Sequence, residues 1–367
     1  MSFIRKTAAF TGLRALRNLV SDSMAIDVGS SGTIIWVHGR GVVVDEPSVV
    51  AVNALTGEVV AAGIEAQQMY GREARDVKVI SPLVGGVVAD FVRTREMLTR
   101  FVRKARSGVS YFSRRAVMSV PSDVTQVERR ALVSAAEDAR IGRVWMIDEG
   151  LAAAYGVDVR AGDRHALAVA DVGGGTTNVA VVAKGRLVHA RAERIGSSDI
   201  NDAIVDHVRR HRGLIIGALT AESLKLEMAS LAVPADLARD ITVKGRDVQT
   251  GGPGAITITV GELYPVAHFV VRKIAEVVRE TLTELPPEVA ADVYDFGITL
   301  TGGGAQFAGL EAYLREHTKL PVRMAEEPRF AIARGLARMF DEPLTLRRLL
   351  RDDSNPLLGA RGDALDI

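Results

Sequence analysis

Two stretches of the chain end an apolar strand on an aspartate and continue into glycines and hydroxyls, residue types that can hold phosphate. The first runs from Met24 through Asp27, Gly29, Ser30, Ser31, Gly32 and Thr33 to Val37. The second runs from Ala168 through Asp171, Gly173, Gly174, Gly175, Thr176 and Thr177 to Val182. Glycine lets a backbone approach a ligand closely, and the N–H groups of such a turn form an anion-binding concavity. A strand-end Asp can orient the waters that Mg²⁺ usually keeps. An ordinary Asx-type turn also accounts for the first copy. The second, with three glycines and two threonines, exceeds what a turn needs. Each turn leads into a further apolar, β-branched strand, so each copy reads as a β-hairpin. The repetition predicts a duplicated domain whose halves each lend one hairpin to a shared cleft.

Other residues fit around that cleft. Glu149 follows a predicted strand over residues 144–147 and precedes a helix of small residues over 151–154. A carboxylate there can align a water with a terminal phosphate. Asp148 competes for the role, and either acid could instead serve the helix dipole. Thr301-Gly302-Gly303-Gly304-Ala305 follows another strand, and its glycines can let an adenine or ribose lie on the backbone, or simply turn the chain. Glu222 and Lys225, three apart on one helical face, can straddle a ribose or form a plain ion pair.

The rest of the sequence bounds these readings. Of 367 residues 47% are hydrophobic, enough for a large core or two facing domains. Lysine and arginine total 46 against 45 acids, a net +1 that gives no global field for nucleic acid. There is no cysteine, which excludes disulfides and thiolate metal sites. No apolar run is long enough to span a bilayer. The basic, partly apolar N-terminus (Phe3, Ile4, Arg5, Lys6, Phe10, Arg14, Arg17) lacks the continuous apolar stretch and cleavage site of a signal peptide.

Elements alternate in both halves, which argues for an α/β class. Extended segments are expected near 42–52, 59–63 and 116–120, and helices near 94–106 and from 125. Thr125-x-x-Glu128 forms a capping-box pattern at the start of the latter. Further helices are expected over 200–210, 221–229 and 263–283, and two last pieces, without an assigned type, over 310–314 and 331–340. Residues 240–260 read as extended about the turn Gly251-Gly252-Pro253-Gly254, and 297–300 as a strand. The tail from 341 has no clear period.

Three glycine-rich turns in this order resemble the signature set of the actin, sugar-kinase and heat-shock chaperone ATPase superfamily. Within it the chain resembles the MreB/Mbl-like bacterial actins, as a divergent paralogue. The matching stretches include Glu46-Pro47-Ser48-Val49-Val50-Ala51, Val120-Pro121-Ser122, Val127-Glu128-Arg129-Arg130-Ala131, Gly245-Arg246-Asp247 and Ala333-Arg334-Gly335. The resemblance implies an actin-like ATPase fold: two duplicated α/β domains around a central nucleotide cleft that holds ATP and Mg²⁺. It implies that Asp27 and Asp171 hold the metal through water, that Glu149 and Thr176 occupy hydrolytic positions, and that Glu222 and Lys225 lie at the ribose. It also implies a slow ATPase that polymerises with itself into filaments. These would lie on the cytoplasmic face of the membrane, work with cell-wall synthesis or cytoskeletal proteins and direct cell shape. The expected divisions are 1–23 as an N-terminal extension, 24–157 and 158–342 as the two domains, and 343–367 as a tail.

Tyr111 and Phe112, flanked by Arg103, Lys104, Arg106, Arg114 and Arg115, match the membrane-inserting loop of that family. The alternative is a core-anchored loop with solvated arginines. The N-terminal extension, about fifteen residues longer than the family's usual start, is a second candidate anchor. Departures cluster at the site. Gly32 stands where the family has Asn, Asn178 where it has an acid, and Gly150 where it has Pro, which predicts a looser helix start. Val84-Gly85 replaces a charged pair. These departures support an alternative reading, a nucleotide-binding scaffold that hydrolyses little. A small-molecule kinase would need a general-base Asp and an acceptor pocket, for which no motif is present.

Overall fold

A computed structural model describes residues 23–105, 115–157, 165–228 and 237–342, together with 346 and 349. Tyr111, Phe112 and the N-terminal extension lie outside them.

Two five-stranded sheets repeat one topology. In the first, Ser23–Val28 pairs antiparallel with Gly32–Val37, which pairs antiparallel with Gly41–Pro47. On its other side Ser23–Val28 pairs parallel with Arg115–Val120, which pairs parallel with Arg143–Asp148. In the second, Leu167–Val172, Thr177–Ala183 and Arg186–Glu193 form the antiparallel run. Ile298–Thr301 and Val322–Met324 extend it in parallel. Both hairpins are apolar along their strands and sit mid-sheet with buried faces, as their residue patterns require. Each half also carries a small three-stranded sheet. One is formed by Val50–Asn53, Val59–Ala62 and Val77–Ile80, the other by Leu214–Ile215, Asp240–Asp247 and Pro253–Thr259. The duplication anticipated from the hairpins thus extends to ten strands and two accessory sheets.

Helices cover the sheets with few surprises at their starts. Gln126–Asp138 begins at the expected capping box, Thr125 accepting from Glu128 N while the Glu128 carboxylate accepts from Thr125 N. The long helix starts earlier than its periodicity indicated, at Val260, because the Thr259 hydroxyl accepts from Glu262 N. Helix Pro287–Phe296 was not anticipated; it has one fully buried residue, Val293, and a weak stripe. Among the described residues no helix is long and apolar enough to cross a membrane.

A third core joins the two sheets. Ala25 and Val117 from the first and Val169 and Val182 from the second pack around helix Glu149–Gly156 and the terminal helix Ala331–Asp341. Leu346 and Leu349, which showed no period as part of the tail, are buried in the same cluster. Backbones touch where these helices cross: a Cβ at Gly335 would overlap the Ala152 carbonyl, and one at Gly156 the Ala331 carbonyl. Gly335→Ala is therefore expected to destabilise the protein by about 1–3 kcal/mol as an overpacked core contact. Thermal unfolding should show the loss, and an unchanged melting temperature would mean the helices do not cross this closely.

Candidate functional site

The shared topology places the two aspartates symmetrically. Asp27 is near the end of its strand and accepts at Oδ1 from the Ser119 hydroxyl, 2.8 Å away on the parallel neighbour. Asp171 accepts from Thr301 at 2.7 Å in the same way. The turns that follow close alike, Gly29 N–H on Gly32 O at 3.0 Å and Gly173 N–H on Thr176 O at 2.8 Å. They meet face to face: the Ser31 and Ser198 hydroxyls lie 3.3 Å apart, and Gly174 has room for no Cβ because Ser31 occupies that place. Ser30 accepts from Gly86 N–H at 2.7 Å, so a loop of the first half closes one edge of the cleft.

Most of the residues singled out from sequence line one cavity. They are Asp27, Gly29, Ser30, Ser31 and Gly32 from the first half, Asp171 and the run Gly173 to Thr176 from the second, then Gly302, Gly303 and Glu149. Gly86, Arg329 and Ile332 also line it and carried no local signal of doing so. Between the two acids at the helix start, the structure distinguishes roles. Asp148 is the N-cap, accepting from Leu151 N–H at 2.9 Å and from the Ser122 hydroxyl at 2.5 Å. Glu149 points to the cavity, 5% exposed, and accepts from Asn178 Nδ2 at 2.7 Å.

These carboxyls are crowded and dry, so the ionised form of each is disfavoured. Burial raises Asp27 to about 6, against the lowering effects of the Ser119 hydrogen bond and the Arg329 charge. Burial raises Asp171 to about 7, opposed by Thr301 and reinforced by Asp27. Burial, then the charges of Asp27, Asp171 and Asp148, push Glu149 well above the usual carboxylate range, while the Asn178 hydrogen bond pulls it down. The cluster is built for a positive charge. Among the described residues no group of three or more His, Asp or Glu could hold a metal alone.

Five expected ligand residues sit outside the cavity wall. Thr33 is fully buried and shares a 2.9 Å hydrogen bond with the Ser48 hydroxyl. Thr177 is fully buried and donates to Ile195 O at 2.8 Å. Both are strand residues whose hydroxyls brace the turn from behind, because side chains alternate faces along a strand. Gly304 is buried against Val172. Glu222 and Lys225 do form an ion pair, at 2.8 Å, with Lys225 also donating to Ser197 O and Glu222 accepting from Asn201. They stand one residue link behind the second turn, since Ser197 N–H donates to Gly173 O.

The expectation of a loose start at Gly150 is corrected. Asp148 caps the helix, and every residue from Glu149 to Gly156 is buried. Any Cβ at Gly150 would collide with that of Ala180 in the neighbouring strand. The glycine brings the helix down onto the strand that carries Asn178, which is what lets Asn178 reach Glu149.

Comparison with known proteins gives these features a context. The sequence model of the MreB/Mbl protein family matches residues 21–348. The chain is 38% identical over 329 residues to the cell shape-determining protein MreB of Escherichia coli (strain K12), covering 88% of this chain and 94% of that one. It is 35% identical over 318 residues to the cell shape-determining protein Mbl of Bacillus subtilis (strain 168), covering 87% and 95%. Among solved structures it is similar to MreB5 of Spiroplasma citri bound to ADP, with TM-score 0.81 and 29% identity over 89% of this chain and 98% of that one. The subunit of the MamK double helical filament shares the fold, with TM-score 0.71 at 21% identity over 87% of this chain and 99% of that one.

Proposed function

The chain belongs to the MreB/Mbl family, and from that premise we propose that it is a nucleotide-binding cytoskeletal protein that polymerises into membrane-associated filaments directing cell-wall synthesis and cell shape. One observation carries this reading: two glycine and hydroxyl turns oppose each other across a single cleft, over Asp27, Asp171 and Glu149. The ADP complex of the Spiroplasma MreB5 supports a nucleotide as the occupant. In this reading the turn N–H groups and Ser30 and Ser31 hold phosphate oxygens. Gly302 and Gly303 lie against the adenosine, and Glu222 and Lys225 support the ribose side. Mg²⁺ fits the donor set: two buried aspartates facing one cleft, whose charge a cation would offset, too few ligands to hold a metal alone, and, in this reading, nucleotide phosphates beside them. Asp27 and Asp171 would hold it through its waters, and the bound ion would neutralise phosphate charge. Glu149 orients the attacking water, with Thr176 beside it in the second turn.

The departures at Gly32, Gly150 and Asn178 favour a second reading, a scaffold that binds nucleotide and turns it over negligibly. High-speed sedimentation with ATP, with ADP and without nucleotide, with phosphate release measured in the same tubes, separates the two. ATP-dependent pelleting with phosphate release supports the active filament; pelleting without release supports the scaffold. Protein that stays soluble in every tube removes polymerisation from the reading.

Membrane association rests on Tyr111, Phe112 and their basic flanks. Anionic vesicles should carry the wild type into the pellet, and Tyr111→Ser with Phe112→Ser should leave it in the supernatant. Equal pelleting of both proteins would move the contact elsewhere.

A further inference from the structure

Arg329 stands at the junction of the cleft's two walls. Its backbone belongs to the short turn Pro328–Phe330, tied to the third glycine turn by Gly302 N–H donating to Pro328 O at 2.8 Å. Its side chain crosses to the first half, where Nη2 donates to Asp45 Oδ1 at 2.5 Å. Among the described residues, Nη2 is the only guanidinium nitrogen of Arg329 with a hydrogen-bond partner. The same nitrogen lies 3.6 Å from where a Cβ on Gly32 would stand, and the side chain lines the cavity. Its charge reaches the site floor, where it favours ionised Asp27.

The first turn therefore has a gap with a charged neighbour beside it. Gly32 offers no side chain, and the guanidinium stands within van der Waals contact of where one would begin. A guanidinium carries five donors in a rigid fork and can serve a carboxylate and a phosphate together. Asp45, itself part-exposed, anchors one edge of the fork. The cavity that its side chain lines otherwise presents three carboxyls, none of which welcomes an anion. Among the described residues no lysine and no other arginine lines that cavity.

We propose that Arg329 is a phosphate-binding residue of this chain, held by Asp45 and taking the place of a side chain at position 32 in the first turn. The inference rests on the nucleotide reading above. It assigns charge-dependent affinity to a residue outside all three glycine turns, and it makes Asp45 a positioning residue that aims the guanidinium.

The test is equilibrium binding of ATP, ADP and adenosine to the full chain and its variants, each first checked for a wild-type melting profile. Arg329→Ala should weaken ATP and ADP about tenfold or more, the effect of one charge-assisted hydrogen bond, and leave adenosine unchanged. Arg329→Lys should recover part of the loss, and the wild-type advantage should shrink with added salt. Gly32→Asn in the Arg329→Ala background should recover affinity for the phosphorylated ligands. Equal losses for adenosine and ATP would make Arg329 a latch between the halves and overturn the proposal. So would Arg329→Ala binding ATP as the wild type does. A wild type that binds neither ATP nor ADP would overturn the nucleotide reading itself, and this one with it.

Discussion

Asp171→Asn should make the nucleotide-free protein more stable and, in the same step, weaken its binding of Mg-nucleotide. The substitution keeps the local bond, since an Asn oxygen can accept from Thr301 as Asp171 does. What it removes is a charge that burial and Asp27 both oppose. The pH dependence follows from the direction of the shift. A carboxyl raised from 3.8 to about 7 in the folded state holds its proton more tightly there than in the unfolded chain. Its stabilising contribution is complete below pH 4 and is lost as pH rises through 7. Without nucleotide or metal, wild type and variant should therefore unfold most alike at and below about pH 4. Their gap should widen to pH 7 and stay constant above it, at roughly 2–4 kcal/mol. Mg-nucleotide affinity at pH 8 should meanwhile fall by about 10- to 100-fold, as when an outer-sphere ligand partner is lost. Thermal unfolding across pH, with isothermal titration at pH 8, checks both halves. A stability gap widest in acid would contradict the buried-charge account. Unchanged Mg-nucleotide affinity would remove Asp171 from the metal's surroundings.

The parts of this site legible in the sequence are those written within a few neighbouring residues. A hairpin with its aspartate and glycines is local chemistry, and so is the capping box at Thr125. What escaped is supplied from far along the chain. Ser119 and Thr301 reach the two aspartates because parallel strand pairing aligns them, across 92 and 130 residues. Arg329 meets Asp45 across 284. Asn178 could be seen only as a departure from a family pattern. Its partner became evident once Gly150 allowed the helix and strand to touch. Strand direction also explains Thr33 and Thr177. They share the turns' composition, and the alternation of a strand sends their hydroxyls behind the turn. The hydrophobic tail residues Leu346 and Leu349 gave no period of their own, because two buried positions three apart do not make one.

Glu149→Gln should reduce phosphate release by about 100- to 10,000-fold, the range for loss of a positioned base, while ATP binding and ATP-dependent sedimentation persist. Glutamine keeps the volume and an oxygen for Asn178, so the helix start is not disturbed. The wild-type rate should itself rise with pH. Glu149 can accept a proton from water only when ionised, and burial among Asp27, Asp171 and Asp148 raises the pH at which it ionises. Nucleotide-bound cation would bring that point down without removing the trend. Asn178 enters with a definite sign. Its amide N–H stabilises the ionised carboxylate, so Asn178→Ala should move the pH–rate profile to higher pH and slow turnover at pH 7. It should also leave the Glu149→Gln rate untouched, since the two act through one carboxylate. An inhibitory Asn178 predicts the reverse, faster phosphate release once its bond is cut. A scaffold predicts a third pattern, in which the wild type already turns over at the Glu149→Gln rate and no pH dependence remains. Single-turnover phosphate release from pH 6 to 9, on the wild type, both single variants and the double, distinguishes these, because only the first pattern combines a large Glu149 effect with an Asn178 effect that vanishes in the double variant.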